Sequence, residues 1–218
     1  MSATRKNKKT ANRLTKNSSL HQESNIHQTA ATVLNKNGKF MTADPEGRRA
    51  NPFDYGSGFP DPTKFLNPGL VYDAQPSDYK AFLCSIGYDK KSLQQITGDN
   101  SVCTQPIPTA SSLNYPSITV PDLKNTYSVT RIVTNVGKPR SVYRAAVSAP
   151  AGVNVTVSPK YLSFRRYGQK AKFTVNFRVV SQSQGYVFGT LSWRAVGDSL
   201  VVSSPLVVRV AISDRGLI

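Results

Sequence analysis

A chain of 218 residues that is 39% hydrophobic and 18% charged is too apolar to be disordered throughout. It holds no apolar run near the ~18 residues that a membrane span requires. A net charge of +16, from 28 Lys and Arg against 12 Asp and Glu, raises nucleic-acid binding, to be judged by where the charge lies.

Residues 1–51 carry ten bases and three acids, +7, and the remaining residues carry eighteen and nine, +9. The second group is spread thinly, and no run within it reads as a nucleic-acid site. The two histidines, His21 and His27, both lie near the start, so no Ser-His-Asp or Cys-His arrangement can be built from later residues. A zinc site would need both histidines and both cysteines, at spacings that match no common pattern. Neither G-x-x-x-x-G-K-[ST] nor G-x-G-x-x-G occurs, so no phosphate-cradling loop and no cofactor are signalled.

Residues 1–25 are polar, with Leu14 and Leu20 almost alone as core formers, which predicts a disordered basic tail. The cluster Arg5-Lys6-Asn7-Lys8-Lys9 has the composition to bind nucleic acid or an import receptor, but a run this short reads rather as part of that solvated tail, and the tail lacks the apolar core of a secretion signal. Ile26 to Leu34 is expected to form one or two helical turns, followed by a turn at Asn35-Lys36-Asn37-Gly38. From Asn51 to Tyr72, Pro, Gly and aromatic residues predict ordered but irregular structure. Asp54 and Asp73 read there as turn and capping residues.

A helix is then expected, capped by Ser77, with Tyr79, Phe82, Leu83 and Ile86 on one face and Gly87 ending it. A second helix is expected from Asp89 to Thr97, closed by Gly98. Cys84 and Cys103 would close a loop of about 20 residues. Bridged, they would stabilise by about 3 kcal/mol; an oxidising compartment favours the bridge, and the cytosol favours two buried thiols. From Leu113 onward seven strand-like runs are expected, some long enough to hold a kink or two short strands: Asn114–Val120, Tyr127–Val136, Ser141–Ala149, Val153–Phe164, Ala171–Val180, Tyr186–Val196 and Ser199–Ile212. Their spacing reads as a β-sandwich of the immunoglobulin or fibronectin type III kind, with Trp193 in its core. Asn154-Val155-Thr156 is an N-glycosylation sequon, to be read as glycan-bearing or as bare strand according to compartment; Asn17-Ser18-Ser19 is a second, in the tail.

Pro52-Phe53-Asp54-Tyr55-Gly56-Ser57-Gly58, then Asn67-Pro68-Gly69-Leu70-Val71-Tyr72-Asp73, resemble the plant subtilisin-like serine proteases. The resemblance continues through Phe82-Leu83-Cys84, Leu113-Asn114-Tyr115-Pro116-Ser117-Ile118 and Val133-Thr134-Asn135-Val136-Gly137 to Phe188-Gly189-Thr190-Leu191-Ser192-Trp193. It covers residues 52–212, fits 26–51 more loosely, and does not extend to 1–25. Phe59 stands where the family usually has His, and Ser203-Ser204-Pro205 where it usually has Arg-Ser-Pro. The resemblance implies a mainly β chain in three parts: the tail over 1–25, the end of a subtilisin-like catalytic domain with linker helices over 26–110, and a fibronectin type III-like support sandwich over 111–218. The family's nucleophile motif, G-T-S-M-x-x-P-H, is not in this sequence, so no catalytic residue is carried over.

The expected function is that of a truncated, inactive subtilisin-like endopeptidase homologue. Its alternatives are a fragment of a longer active protease and a free sandwich module with a basic tail. The expected partner is a subtilisin-like catalytic domain, in cis or in trans, and neither nucleic acid nor membrane is expected. Resemblance implies an extracellular (apoplastic) location, although residues 1–25 do not read as a secretion signal. Phe53, Tyr55, Phe65, Leu66, Leu70, Val71, Tyr72, Phe82 and Leu83 are expected to form an exposed apolar patch prone to self-association.

Overall fold

The computed structural model describes residues 30–211. The expected tail, both histidines and the sequon at Asn17 lie outside the described residues. Two sheets face each other across one core. The first holds five strands in the order β4-β11-β10-β6-β8: Ile118–Leu123, Val201–Val210, Tyr186–Ala195, Ser141–Ser148 and Tyr161–Phe164. The second holds four in the order β3-β5-β9-β7: Leu70–Tyr72, Thr126–Asn135, Lys170–Val179 and Val153–Ser158. All pairings are antiparallel except β4 with β11. Strict alternation builds the core: in β9, Phe173, Val175 and Phe177 point inward and are buried. Trp193, Leu191, Leu206 and Val208 meet them from the other sheet.

The expected run from Val153 to Phe164, long enough for two short strands, does hold two. Pro159, which has no N–H to donate, sits in the turn between β7 and β8, and the two halves join different sheets. The expected strand at Asn114–Val120 starts later, at Ile118. Asn114 does something else: its Oδ1 accepts from Ile132 N (2.8 Å) and its Nδ2 donates to Ile132 O (2.9 Å). A side-chain amide thus supplies the ladder bonds that a further strand beside β5 would give.

Leu70, Val71 and Tyr72 are not surface residues as expected. They form β3, pairing with Asn135, Thr134 and Val133, and all three are buried. The Tyr72 hydroxyl crosses the core to Ser204 Oγ at 2.7 Å, tying β3 to the opposite sheet. Gly69, at φ 75, makes the approach possible: a Cβ there would lie 2.5 Å from Leu200 Cδ2.

The segment ahead of β3 lies over the outer face of the five-stranded sheet. Residues 30–34 are not helical: Ala31–Thr32 (β1) pairs with Phe59–Pro60 (β2), and Leu34 bridges Phe40 across the expected turn. In that turn Asn35 Oδ1 accepts from the N–H groups of Asn37 and Lys39, which closes it as a hairpin. Two one-turn helices follow, Pro52–Tyr55 (α1) and Pro62–Phe65 (α2), each with Pro in its first turn and a capping Asn51 or Asp61.

The longer helices are Pro76–Ser85 (α3) and Lys90–Thr97 (α4). Ser77 is not the cap of α3. Pro76 takes the first helical position, and Gln75 is the cap residue, its N–H donating to Asp78 Oδ2 at 2.8 Å. α4 starts and stops as its ends predict, with Asp89 as N-cap and Gly98 left-handed at φ 68.

Candidate functional site

Two surfaces of this fold can do something beyond holding it together. The first is where the leading segment crosses the five-stranded sheet. Asn51 caps α1 by accepting from Phe53 N (2.8 Å), and Asp54 closes the cap by accepting from Asn51 N (2.7 Å). That geometry throws Phe53 onto the sheet, edge-on to Tyr186 (5.1 Å) and Phe188 (5.5 Å). Pro52, Tyr55 and Gly58 line the seam with Thr119, Pro205 and Val207. The seam is only partly sealed: Phe53 stays 63% exposed, with Phe59 and Leu66 at 69% and 53%. So part of the expected apolar patch exists, but its Leu70, Val71 and Tyr72 portion is core, because β3 completes a sheet.

Arg48 anchors the hairpin to this seam. Its guanidinium donates to both oxygens of Asp54, at 2.7 and 2.8 Å. These bonds, and then the Asn51 N–H, lower the Asp54 pKa to about 2. A carboxylate whose folded pKa lies below its unfolded value adds stability at pH above that unfolded value. This stability is lost as pH falls through the folded one. The anchor is therefore expected to be intact above pH ~4 and to release toward about 2. Amide exchange at residues 48–56, followed by NMR from neutral pH downward, reads this; protection unchanged at pH 2 would refute it.

The second surface is a cavity of about 750 Å³ at the open side of the sandwich, between α3, the 3-10 turn Ala110–Ser112, β4 and β5. Tyr79, Phe82, Ile86, Leu113 and Tyr127 make it apolar. Arg131 also lines it and is only 2% exposed. Its Nε donates to Tyr115 O (3.0 Å), and its Nη1 to Ser111 O (2.8 Å) and Thr130 O (3.0 Å). Burial lowers its pKa to about 10, so it stays cationic at neutral pH. Its part is to pin the linker turn onto the sandwich. The alternation Val129, Arg131, Val133 already places it on the inward face of β5, a signal that the sequence reading passed over.

Of the candidate site residues singled out in the sequence, Asp54 closes the α1 cap in the first surface, and the others fall in neither. Cys84 and Cys103 are bonded, with Cα atoms 5.7 Å apart, and join α3 to the segment after α4. Asn154 is exposed on β7, the edge strand of the four-stranded sheet, facing outward with Thr156. Asp73 accepts from Thr134 Oγ1 (2.7 Å) and pairs with Lys170 (2.9 Å) beside β3.

Comparison with known proteins gives these surfaces a context. The fibronectin type-III domain family matches residues 112–208. Among curated proteins of Arabidopsis thaliana, the subtilisin-like protease SBT3.2 is 42% identical over 191 residues, which is 86% of this chain and 26% of that protein. SBT3.6 is 46% identical over 165 residues, 75% of this chain and 21% of its own length. SBT3.16 is 41% identical over 183 residues, 83% of this chain and 24% of its own. The chain thus spans about a quarter of the length of the curated relatives it matches. It is a member of the subtilisin-like protease family, matching the C-terminal part that carries the fibronectin type-III domain.

Proposed function

We propose that this chain is a subtilisin-like protease homologue without catalytic machinery of its own, serving as the support that holds a catalytic domain from its C-terminal side. The observation that carries the reading is the seam: residues 30–66 lie over one sheet and present Phe53, Phe59 and Leu66 outward, where a further globular partner would cover them. In a longer product the partner is the catalytic domain in cis; alone, the same rim takes a catalytic domain in trans or a second copy of this chain.

The test uses the catalytic portion of an SBT3 relative, stripped of its matching C-terminal quarter. Adding this chain is expected to raise that portion's melting temperature and peptidase activity, and Phe53→Asp is expected to abolish both effects. A fluorophosphonate probe is expected to label the catalytic portion and never this chain alone. Labelling of the isolated chain, or no complex by size exclusion, would remove the proposal.

The compartment proposed is extracellular. The Cys84–Cys103 bond supports it, because such bridges persist where the medium is oxidising. In that setting Asn154 is proposed to carry an N-linked glycan, Asn154 and Thr156 of its sequon being exposed on an edge strand. The chain secreted behind an added leader is expected to lose mass on treatment with an N-glycosidase. Asn154→Gln is expected to lack that increment, and an unshifted parent band would count against the glycan.

A further inference from the structure

The charge that looked dispersed along the sequence is gathered by the fold. Residues 123–197 hold twelve Lys and Arg and no Asp or Glu. Five of these bases are arginines at one corner of the five-stranded sheet: Arg140, Arg144, Arg165, Arg166 and Arg194, all exposed. Arg144 of β6 stands directly opposite Arg194 of β10 on one side and Tyr161 of β8 on the other. Inward neighbours such as Tyr143 and Trp193 fix these three on the outer face. Arg140 and Arg165 flank the last pairing of β6 with β8, Ser141 with Phe164, and Arg166 and Tyr167 follow.

The loops at this corner are held by one buried residue. Asn135 Nδ2 donates to Lys138 O (3.0 Å) and Arg166 O (3.4 Å), its N donates to Gln169 O (2.9 Å), and its O accepts from Gly168 N (2.8 Å). Among the described residues none of the five arginine side chains makes an ion pair. Lys138 is paired with Asp198 (2.8 Å) and Lys170 with Asp73 (2.9 Å), so nearby acids are already engaged. Like charges directly opposite on neighbouring strands repel and destabilise a sheet. Arg140 is also the one non-glycine residue among those described with a positive φ, 56.

We infer that this corner binds an extended anionic polysaccharide, one whose sugars carry carboxylates. Guanidinium groups match carboxylates with paired hydrogen bonds. The row from Arg194 to Tyr161 is about 10 Å across, and the corner reaches roughly 13 Å along the strands to Arg140. A row of exposed charges of this kind suits a ribbon of repeating charges. Tyr161 and Tyr167, exposed at 54% and 51%, offer ring faces for the sugars between the charges. The leading segment, seated on Phe188 and Pro205, leaves this end of the sheet clear. The choice of a polysaccharide over a nucleic acid rests on the extracellular reading above.

The test measures binding of the full, disulfide-intact chain to an immobilised galacturonate oligomer, with a neutral galactan and single-stranded DNA as comparisons. Binding is expected to be tightest to the galacturonate, weak to the DNA and absent to the galactan, weakening as salt rises above ~0.15 M. The tail adds bases of its own, so the variants decide. Arg144→Ala with Arg194→Ala is expected to lower affinity at least about tenfold. Lys124→Ala with Lys172→Ala, which removes equal charge elsewhere, is expected to leave affinity within about twofold. Tyr161→Ala is expected to weaken galacturonate binding and leave the weak retention of DNA unchanged. Equal losses from the two charge-matched pairs, or tighter binding to DNA than to galacturonate, would overturn the proposal. The assay is made in vitro, so a chain that binds as expected but is found in the cytosol keeps this surface and removes only the extracellular reading.

Discussion

Replacing Trp193 by alanine is expected to cost about 3–5 kcal/mol, a large share of the roughly 5–15 kcal/mol that holds a domain together. The indole is fully buried and meets Phe173 of the facing sheet edge-on at 5.0 Å. Phe173 in turn meets Tyr72 at 6.5 Å, and Tyr72 returns across the core to Ser204. One side chain therefore starts a relay that touches β10, β9, β3 and β11, and alanine would leave a void that no single strand can close. A fall in melting temperature of roughly 6–20 °C follows for a chain of this size. Trp193→Phe is expected to cost less than half as much. The indole N–H has no hydrogen-bond partner among the described residues, so phenylalanine forfeits area but no bond. Denaturant unfolding followed by far-UV circular dichroism compares the two. An alanine variant within 1 kcal/mol of the parent would show that the two sheets do not share this core.

The second large effect is reduction of Cys84–Cys103, or the paired Cys84→Ser and Cys103→Ser replacement. The bridge spans 19 positions, and closing such a loop is worth about 3 kcal/mol on chain-entropy grounds. The loss is expected to be local. In α3 only Cys84 is buried, and in α4 only Leu93, so neither helix has much core of its own. Amide protection in α3 and α4 is expected to fall about a hundredfold on reduction, while protection around Trp193 holds. An equal fall in both regions would mean that the helices and the sandwich unfold as one unit.

What could be read from the sequence was whatever repeats along the chain. Alternation in β9 and the paired signals Asp89 and Gly98 around α4 are local, and the structure reproduces them. What escaped depends on a partner distant in sequence. Ala31–Thr32 is extended because Phe59–Pro60 lies beside it, and no property of residues 26–34 announces that. Asn114 stays outside the strand expected to begin with it, its amide being engaged with Ile132, eighteen positions on. Leu70-Val71-Tyr72 looks like surface when read as the end of a neighbouring domain, and like core once β5 is placed against it. Of the candidate sites, the disulfide was visible as two cysteines, whereas the arginine corner needed three strands brought into register.

The strand formed by residues 70–72 has a practical consequence for anyone who wishes to excise this module. A cut at residue 112, where the fibronectin match begins, would discard one of the nine strands and the aromatic rivet that fastens it to Ser204. The backbone of Val133 to Asn135 would be left as a raw edge, open to the wrong neighbour. The portable unit is longer than its sequence signature: it starts near Pro68, and grafting it onto another protein means carrying the disulfide-tied helices along.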